Sequence, residues 1–369
     1  MVASLAKDWW KSAQSLVGEA AGQVQQSARI AWFRIGDACL EVVSDYQPLL
    51  DTLEAHYGDC RLNQLPLGLA SIRCTVGYFH DVSLLWLSFQ GACVRATIDA
   101  SLTPFRMLRH LQCDVETLDG VAGWRLFVRA GTSSLTLAAG EDSNLLINLN
   151  EAPLEVVTDC IIGVVQSAQP GVLFLHAASV GVAGVGALLI GESHRGKSTM
   201  ALTFARRGHA FLGDDVAAVR LATREVLAFP KSAGLRDGPL ARPLDAQLQG
   251  GRHMPVIGAD GVLRTMVRVG DLYPVSTSGP LPLRYAFLLD GFAECAAFRE
   301  FRPGLGNLTT LRAVVSETLP SWGLSPGRDL LRFLIVVNLL SALRCYLVDL
   351  GSPDDSAALI EEAMEKTCI

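Results

Sequence analysis

Apolar positions along the chain change their period several times, and the changes mark out its elements. Leu5, Trp9, Ala13, Leu16, Ala20 and Val24 recur at steps of three and four, so residues 2–28 read as one amphipathic helix. Trp9 and Trp10 beside Lys7 and Lys11 make it a candidate docking helix for its own chain or a second protomer; its cationic density is low for a membrane anchor. Apolar runs over 30–35 and 39–43 then flank Gly36-Asp37, which predicts a hairpin. Residues 46–57 return to helical spacing at Leu49, Leu50, Leu53 and Tyr57 and stop at Gly58. Short strand-like runs follow at 71–78, 82–89, 93–98, 124–128, 134–138 and 144–148. Together these predict a small α+β domain over 31–150, with scattered acids and histidines and no catalytic grouping. By elimination its task is recognition of a substrate or partner. A linking helix over 151–170, with Leu154, Val157, Ile161 and Val164 on one face, is broken by Gln169-Pro170-Gly171.

The second half, 171–369, has a different pattern. Apolar runs over 172–180 and 185–190 flank Val182-Ala183-Gly184, the signature of a second hairpin. Met200, Ala201, Phe204 and Ala205 place a helix over 199–207, and Gly208 ends it. A polar stretch rich in Gly, Pro and Arg, including Arg242, Arg252, Arg264 and Arg268, extends to Gly279 and reads as a mobile lid or substrate loop. A strand over 283–289, helices over 308–319 and 326–342, a strand over 345–350 and a helix over 356–364 complete an α/β pattern.

Between the second hairpin and its following helix lies Gly191-Glu192-Ser193-His194-Arg195-Gly196-Lys197-Ser198, which reads G-x-x-x-x-G-K-S, followed by Thr199. Strand, glycine loop and helix come in the order a phosphate-binding loop needs. Glycines let backbone N–H groups turn inward, and the helix N-terminus adds partial positive charge. Lys197 is placed to reach terminal phosphates and the Ser198 hydroxyl to ligate Mg²⁺, so a nucleoside triphosphate, ATP, is the expected guest. After the helix come Asp214 and Asp215, adjacent carboxylates able to divide the roles of general base and metal partner.

The order His176, hairpin, phosphate loop, Arg207-Gly208-His209 and Asp214-Asp215 resembles the catalytic domain of HPr kinase/phosphorylase, a bacterial serine kinase with a fold like that of phosphoenolpyruvate carboxykinase. The likeness is specific over about 171–220 and looser to the C-terminus. It implies a P-loop kinase domain of that type behind a smaller N-terminal α+β domain. It also implies that the aspartate pair deprotonates an acceptor hydroxyl and helps hold the metal, with Asp215 joining Ser198 on the metal side and His176 as partner of the pair. The residues after the pair, 226–236, lack the Glu-containing family signature tied to phosphorolysis and to HPr, which argues against both. Lys231 and Arg236 there are candidate contacts for phosphate or substrate.

Composition narrows the reading further. Half of the 369 residues are hydrophobic and 18% are charged, enough apolar material for a large core in two domains. A net charge of −6 argues against nucleic acid as the main ligand. Nine cysteines without a C-x-x-C pair read as reduced thiols, no histidine pattern indicates zinc, and no apolar run reaches transmembrane length. With no signal-like start, the expected location is the cytoplasm. The expected activity is Mg²⁺-dependent transfer of the γ-phosphoryl group of ATP to a hydroxyl of a peptide, protein or metabolite. A nucleotide-binding regulatory or scaffold subunit that docks a partner protein, and a nucleoside triphosphatase, are the competing readings. The resemblance also raises the expectation of a homo-oligomer.

Overall fold

The structure is a computed structural model. It describes residues 29–44, 47–65, 70–79, 82–89, 112–117, 124–130, 133–139, 144–150, 158, 161–162, 165–166, 169, 171–192, 194–235, 254–257, 263–273, 279–304, 307, 310–311, 314 and 329–365. The helix expected over 2–28, the strand over 93–98 and most of the helices over 151–170 and 308–319 lie outside these residues. The described chain clusters into two units, one holding 29–54 and 61–169, the other 55–60 and everything from 171 onward.

The first unit is built on one sheet. Its strands are β1 (Arg29–Ile35), β2 (Ala38–Ser44), β3 (Arg61–Leu62), β4 (Ala70–Phe79), β5 (Val82–Phe89), β6 (Gln112–Thr117), β7 (Trp124–Ala130), β8 (Ser133–Ala139) and β9 (Asn144–Asn150), in the order β3-β1-β2-β4-β5-β9-β8-β7-β6. Only the β2–β4 pair is parallel; between them the chain passes through helix α1 (Gln47–Tyr57), as a parallel connection requires. The β1–β2 hairpin turns at Gly36, whose φ of 63° suits the first central position of a two-residue turn. Near the end of this unit the Gln169 side chain bonds the Asp37 N–H at 2.8 Å and the Ile35 and Val165 carbonyls, each at 2.9 Å. One buried amide thereby satisfies three backbone groups that would otherwise be costly to leave unpaired.

In the second unit the apolar run over 172–180 is two strands. The chain bends at His176, so β10 (Val172–Leu175) pairs with β14 (Ala217–Arg220), whereas β11 (Ala177–Val182) pairs with β12 (Val185–Ile190) and β13 (Ala210–Gly213). The β11–β12 turn places both Ala183 and Gly184 at positive φ, 50° and 79°, the requirement of a type I′ hairpin. The rest of the sheet comprises β15 (Glu225–Leu227), β19 (Leu281–Phe292), β20 (Ala297–Phe301) and β21 (Arg344–Leu350). Its path is β10-β14-β15-β19-β12-β11-β13, with β21 between β19 and β20. β12, β19 and β21 run parallel, and the remaining pairs are antiparallel.

Both faces of this sheet are covered, which is why its central strands read as unbroken apolar runs rather than alternating ones. Ala187 and Leu189 of β12 face a core with Met200, Phe204, Ile360 and Met364 from helices α2 (Lys197–Arg206) and α5 (Pro353–Glu365). Leu188 and Ile190 face the opposite core, with Val336, Leu339 and Leu340 of α4 (Asp329–Ser341). Met200 and Phe204 are fully buried, each contributing roughly 1.5–3 kcal/mol of apolar burial. The polar stretch beyond Arg236 expected to be an irregular loop instead contains β17 (Met254–Ile257), β18 (Leu263–Val267) and a one-turn helix α3 (Val269–Leu272), and β16 (Ala233–Leu235) just precedes it. These strands form a small antiparallel sheet, β16-β18-β17, and Pro255 is tolerated because β17 is an edge strand.

Candidate functional site

The loop over 191–198 connects β12 to α2, and its shape follows from three residues. Gly191 is packed so closely that a Cβ there would lie 2.9 Å from the Leu289 carbonyl oxygen. His194 sits at φ 68°, left-handed backbone that costs a non-glycine residue on the order of 1 kcal/mol or more. Gly196 caps α2 at φ 85°, ψ 10°, with no side chain capping the helix. First-turn N–H groups of a helix have no intrahelical partner, so the start of α2 is built to present donors and positive potential to an anion.

Lys197 is 6% exposed, and its Nζ donates to the Gly191 and Glu192 carbonyls at 2.6 and 3.0 Å. This pulls the two ends of the loop together and holds the ammonium inside the curve. Arg195 and Glu192 form a loose ion pair at 3.6 Å on the outer rim. Ser198 and Thr199 are half-buried on the first turn of α2, and Ser193 lies outside the described residues.

Opposite the loop, the turn after β13 separates the two aspartates. Asp214 is 2% exposed, whereas Asp215 is exposed and sits at φ 61°. The tight turn is closed by a 2.7 Å bond from the Val216 N–H to the Asp214 carbonyl. Gly213 is needed before it, because a Cβ would lie 2.7 Å from the Val216 carbonyl oxygen and 3.0 Å from that of Phe229. Burial, and then the charge of Asp215, push the Asp214 carboxyl up to about 7; hydrogen bonding from Ser198 and from the Asp215 backbone, and the charge of Lys197, pull the other way. Its Oδ1 is buried without a hydrogen-bond partner.

A buried carboxylate oxygen with nothing to bind, beside a serine hydroxyl and a lysine, fits one edge of a Mg²⁺ site. Mg²⁺ usually takes one or two protein oxygens and completes its shell with water and substrate phosphates. Among the described residues no three His, Cys, Asp or Glu side chains gather into a dedicated metal cluster. Asp215 was the expected companion of Ser198 on the metal side; the carboxylate beside Ser198 is that of Asp214.

His176, at the β10–β11 bend, approaches this turn through its backbone. Its Nδ1 lies 3.0 Å from the Asp215 carbonyl oxygen, so Nδ1 carries the donated proton. It therefore braces the left-handed residue of the turn through its main chain. Lys231 stands with its Nζ 5.8 Å from the Tyr57 ring centroid and helps lower the His56 pKa, in the segment after Phe229. Arg236 lies outside the described residues. Sequence reasoning passed over Gly213, whose signal was a glycine at the end of a strand just before two acids.

Residues 171–234 match the family model of the HPr Serine kinase C-terminal domain. An HPr kinase/phosphorylase of Chlorobium phaeovibrioides is 51% identical over 45 residues, 12% of this chain and 14% of that protein. Another, from Caldanaerobacter subterraneus subsp. tengcongensis, is 34% identical over 83 residues, 22% and 27% of the two chains. The chain thus spans about a quarter or less of the length of these curated relatives. A solved structure of the Hpr(Ser) kinase/phosphatase from Coxiella burnetii aligns at 13% identity over 52% of this chain and 94% of that one, with a TM-score of 0.26, too low to carry an argument. Residues 171–234, which hold the G-x-x-x-x-G-K-S loop and the aspartate pair, are thus similar to the C-terminal domain of the HPr kinases.

Proposed function

We propose that this chain is a Mg²⁺-dependent kinase that transfers the γ-phosphoryl group of ATP to a hydroxyl acceptor, through a P-loop domain of the HPr kinase and phosphoenolpyruvate carboxykinase type. The observation that carries the reading is Asp214: a buried carboxyl with an unpartnered oxygen, set beside Ser198 and Lys197 at the start of α2. A structural aspartate would be expected to have its oxygens satisfied. One held like this is ready to take a cation.

The loop N–H groups, the start of α2 and Lys197 would bind the phosphates and offset the charge that develops on the transferred group. Bound Mg²⁺ supplies electrostatic stabilisation of that group; Ser198 and Asp214 would hold it. Asp215, exposed beside Asp214, is then placed to accept the acceptor's proton as the oxygen–phosphorus bond forms and the bond to the β-phosphate bridging oxygen breaks. His176 fixes the turn that aims it. Matches to HPr kinase/phosphorylases support kinase chemistry, while 226–236 lack the signature linked to HPr and phosphorolysis, so a peptide, another protein or a metabolite is the proposed acceptor.

The test is transfer of labelled γ-phosphate from ATP, with Mg²⁺, into extract fractions separated into peptide, protein and metabolite pools. Label entering one pool with wild type, and lost with both Lys197→Ala and Asp214→Asn, is the expected result. A wild type that binds ATP and labels nothing, with Asp214→Asn binding equally well, would overturn it in favour of a nucleotide-binding regulatory subunit.

A further inference from the structure

The carboxyl ends of parallel strands in an open α/β sheet are where such folds bind ligands. In the second unit β12, β19 and β21 are parallel neighbours, and β12 leads directly into the phosphate loop. β19 ends on Phe292, paired in register with Leu350 near the end of β21, and the Ala293 N–H fastens the two strand ends by a 2.8 Å bond to the Leu350 carbonyl. A Cβ placed on Gly196 would lie 2.8 Å from Leu350 Cδ1 and 3.7 Å from Cε1 and Cζ of Phe292. The ring therefore adjoins the last glycine of the loop, with the Leu350 side chain packed closer still beside it.

Phe292 is also 65% exposed, the most open of the large hydrophobic residues described. Its neighbours on the sheet behave differently. Phe287 stacks on Tyr346 at 5.5 Å, and Phe298 meets Tyr346 edge-on at 4.9 Å. Among the described residues Phe292 takes part in no ring contact, so packing within the sheet does not account for its aromatic character.

We propose that Phe292 is the platform on which the nucleobase of the phosphate donor stacks. This rests on the reading that the loop over 191–198 holds a nucleoside triphosphate. With the phosphates on the loop and the start of α2, the nucleoside leaves at the rim, and the ring beside Gly196 is the apolar surface it meets there. Every base has a π-face, so a single ring tolerates either purine. The site accordingly distinguishes nucleoside triphosphates from inorganic polyphosphate more than it distinguishes ATP from GTP.

Calorimetric titration of the full chain with ATP, GTP and inorganic tripolyphosphate, each with Mg²⁺, tests this in wild type, Phe292→Ala, Phe292→Leu and Phe292→Trp. Loss of stacking in the Ala and Leu variants should weaken ATP and GTP by about tenfold or more, with tripolyphosphate unchanged and Trp restoring affinity. Equal weakening of ATP and tripolyphosphate would overturn the proposal, since the ring would then merely prop the loop. So would a Leu variant that binds ATP like wild type. A wild type that binds tripolyphosphate but holds ATP no more tightly removes the platform and leaves the phosphate loop standing; one that binds neither removes both.

Discussion

Asp214→Asn should make the protein more stable while abolishing phosphoryl transfer, and the gain should depend on pH. The ordinary carboxyl value of 3.8 rises to about 7 in the fold because burial and the neighbouring Asp215 disfavour the charge. The folded state thus binds the proton more tightly than the unfolded one. The stability associated with this group is fully present below pH 3.8 and is lost as pH rises through 7. At about 1.4 kcal/mol per pKa unit, ionised Asp214 costs on the order of 4 kcal/mol at pH 8. Asparagine has the shape of the protonated acid and no charge to desolvate, although its own imperfectly paired amide returns about 1–3 kcal/mol of that gain. The robust quantity is the double difference, because the amide's cost is the same at every pH. Urea unfolding of wild type and variant at pH 8 and pH 4 should give a stability gap about 3 kcal/mol more favourable to Asn at pH 8. A double difference below about 1 kcal/mol, or one of opposite sign, would refute the claim that Asp214 is held as a strained, buried charge. Mg²⁺ with ATP should shift wild type upward and leave the variant unmoved.

Other sites make separable predictions. Gly213→Ala drives a Cβ against two main-chain oxygens at 2.7 and 3.0 Å, so the aspartate turn must move; a loss of about 1–3 kcal/mol in denaturant unfolding should accompany a transfer rate down by about 100-fold. His56 has the opposite pH sign to Asp214: burial, then Lys231, lower it from 6.5 to about 4, so its stability contribution is present above pH 6.5 and lost as pH falls through 4. Unfolding of His56→Phe against wild type at pH 7 and pH 4 should show the acid loss, about 3 kcal/mol at most, flattened in the variant; an unchanged pH profile would count against it. Glu361 receives Arg207 Nε and Nη2, both at 2.6 Å, and contacts His209 at 2.8 Å, linking α5 to the end of α2. Glu361→Ala should cost about 1–2 kcal/mol, checked by chemical denaturation, with no measurable change refuting a structural role for the pair.

Features confined to a few consecutive residues were legible in the sequence. The hairpin turning at Ala183-Gly184 follows from two apolar runs that flank a glycine, and the strand–loop–helix order at 185–206 follows from an apolar run, two glycines and helical spacing. Elements with weak or mixed patterns were not. β20, Ala-Phe-Arg-Glu-Phe, is an exposed antiparallel edge strand and presents no buried period, and β17 and β18 lie in a stretch whose Gly and Arg content resembles a loop. The bend at His176 was hidden because residues on both sides of it are apolar; only their different partners, β14 against β12 and β13, separate β10 from β11.

Sequence alone determined that a G-x-x-x-x-G-K-S loop precedes a pair of carboxylates, since the order and spacing of those residues are local and need no reference to the rest of the chain. The tertiary structure decided how the pair is divided. The close packing of Gly213 against two carbonyls and the left-handed Asp215 bury one acid beside Ser198 and leave its neighbour in solvent, although in sequence the two are equivalent. It also brought Phe292 to Gly196 across 96 positions of chain, through the parallel pairing of β12, β19 and β21. Burial and long-range contact are properties of the packed sheet, and no local pattern of residues encodes them.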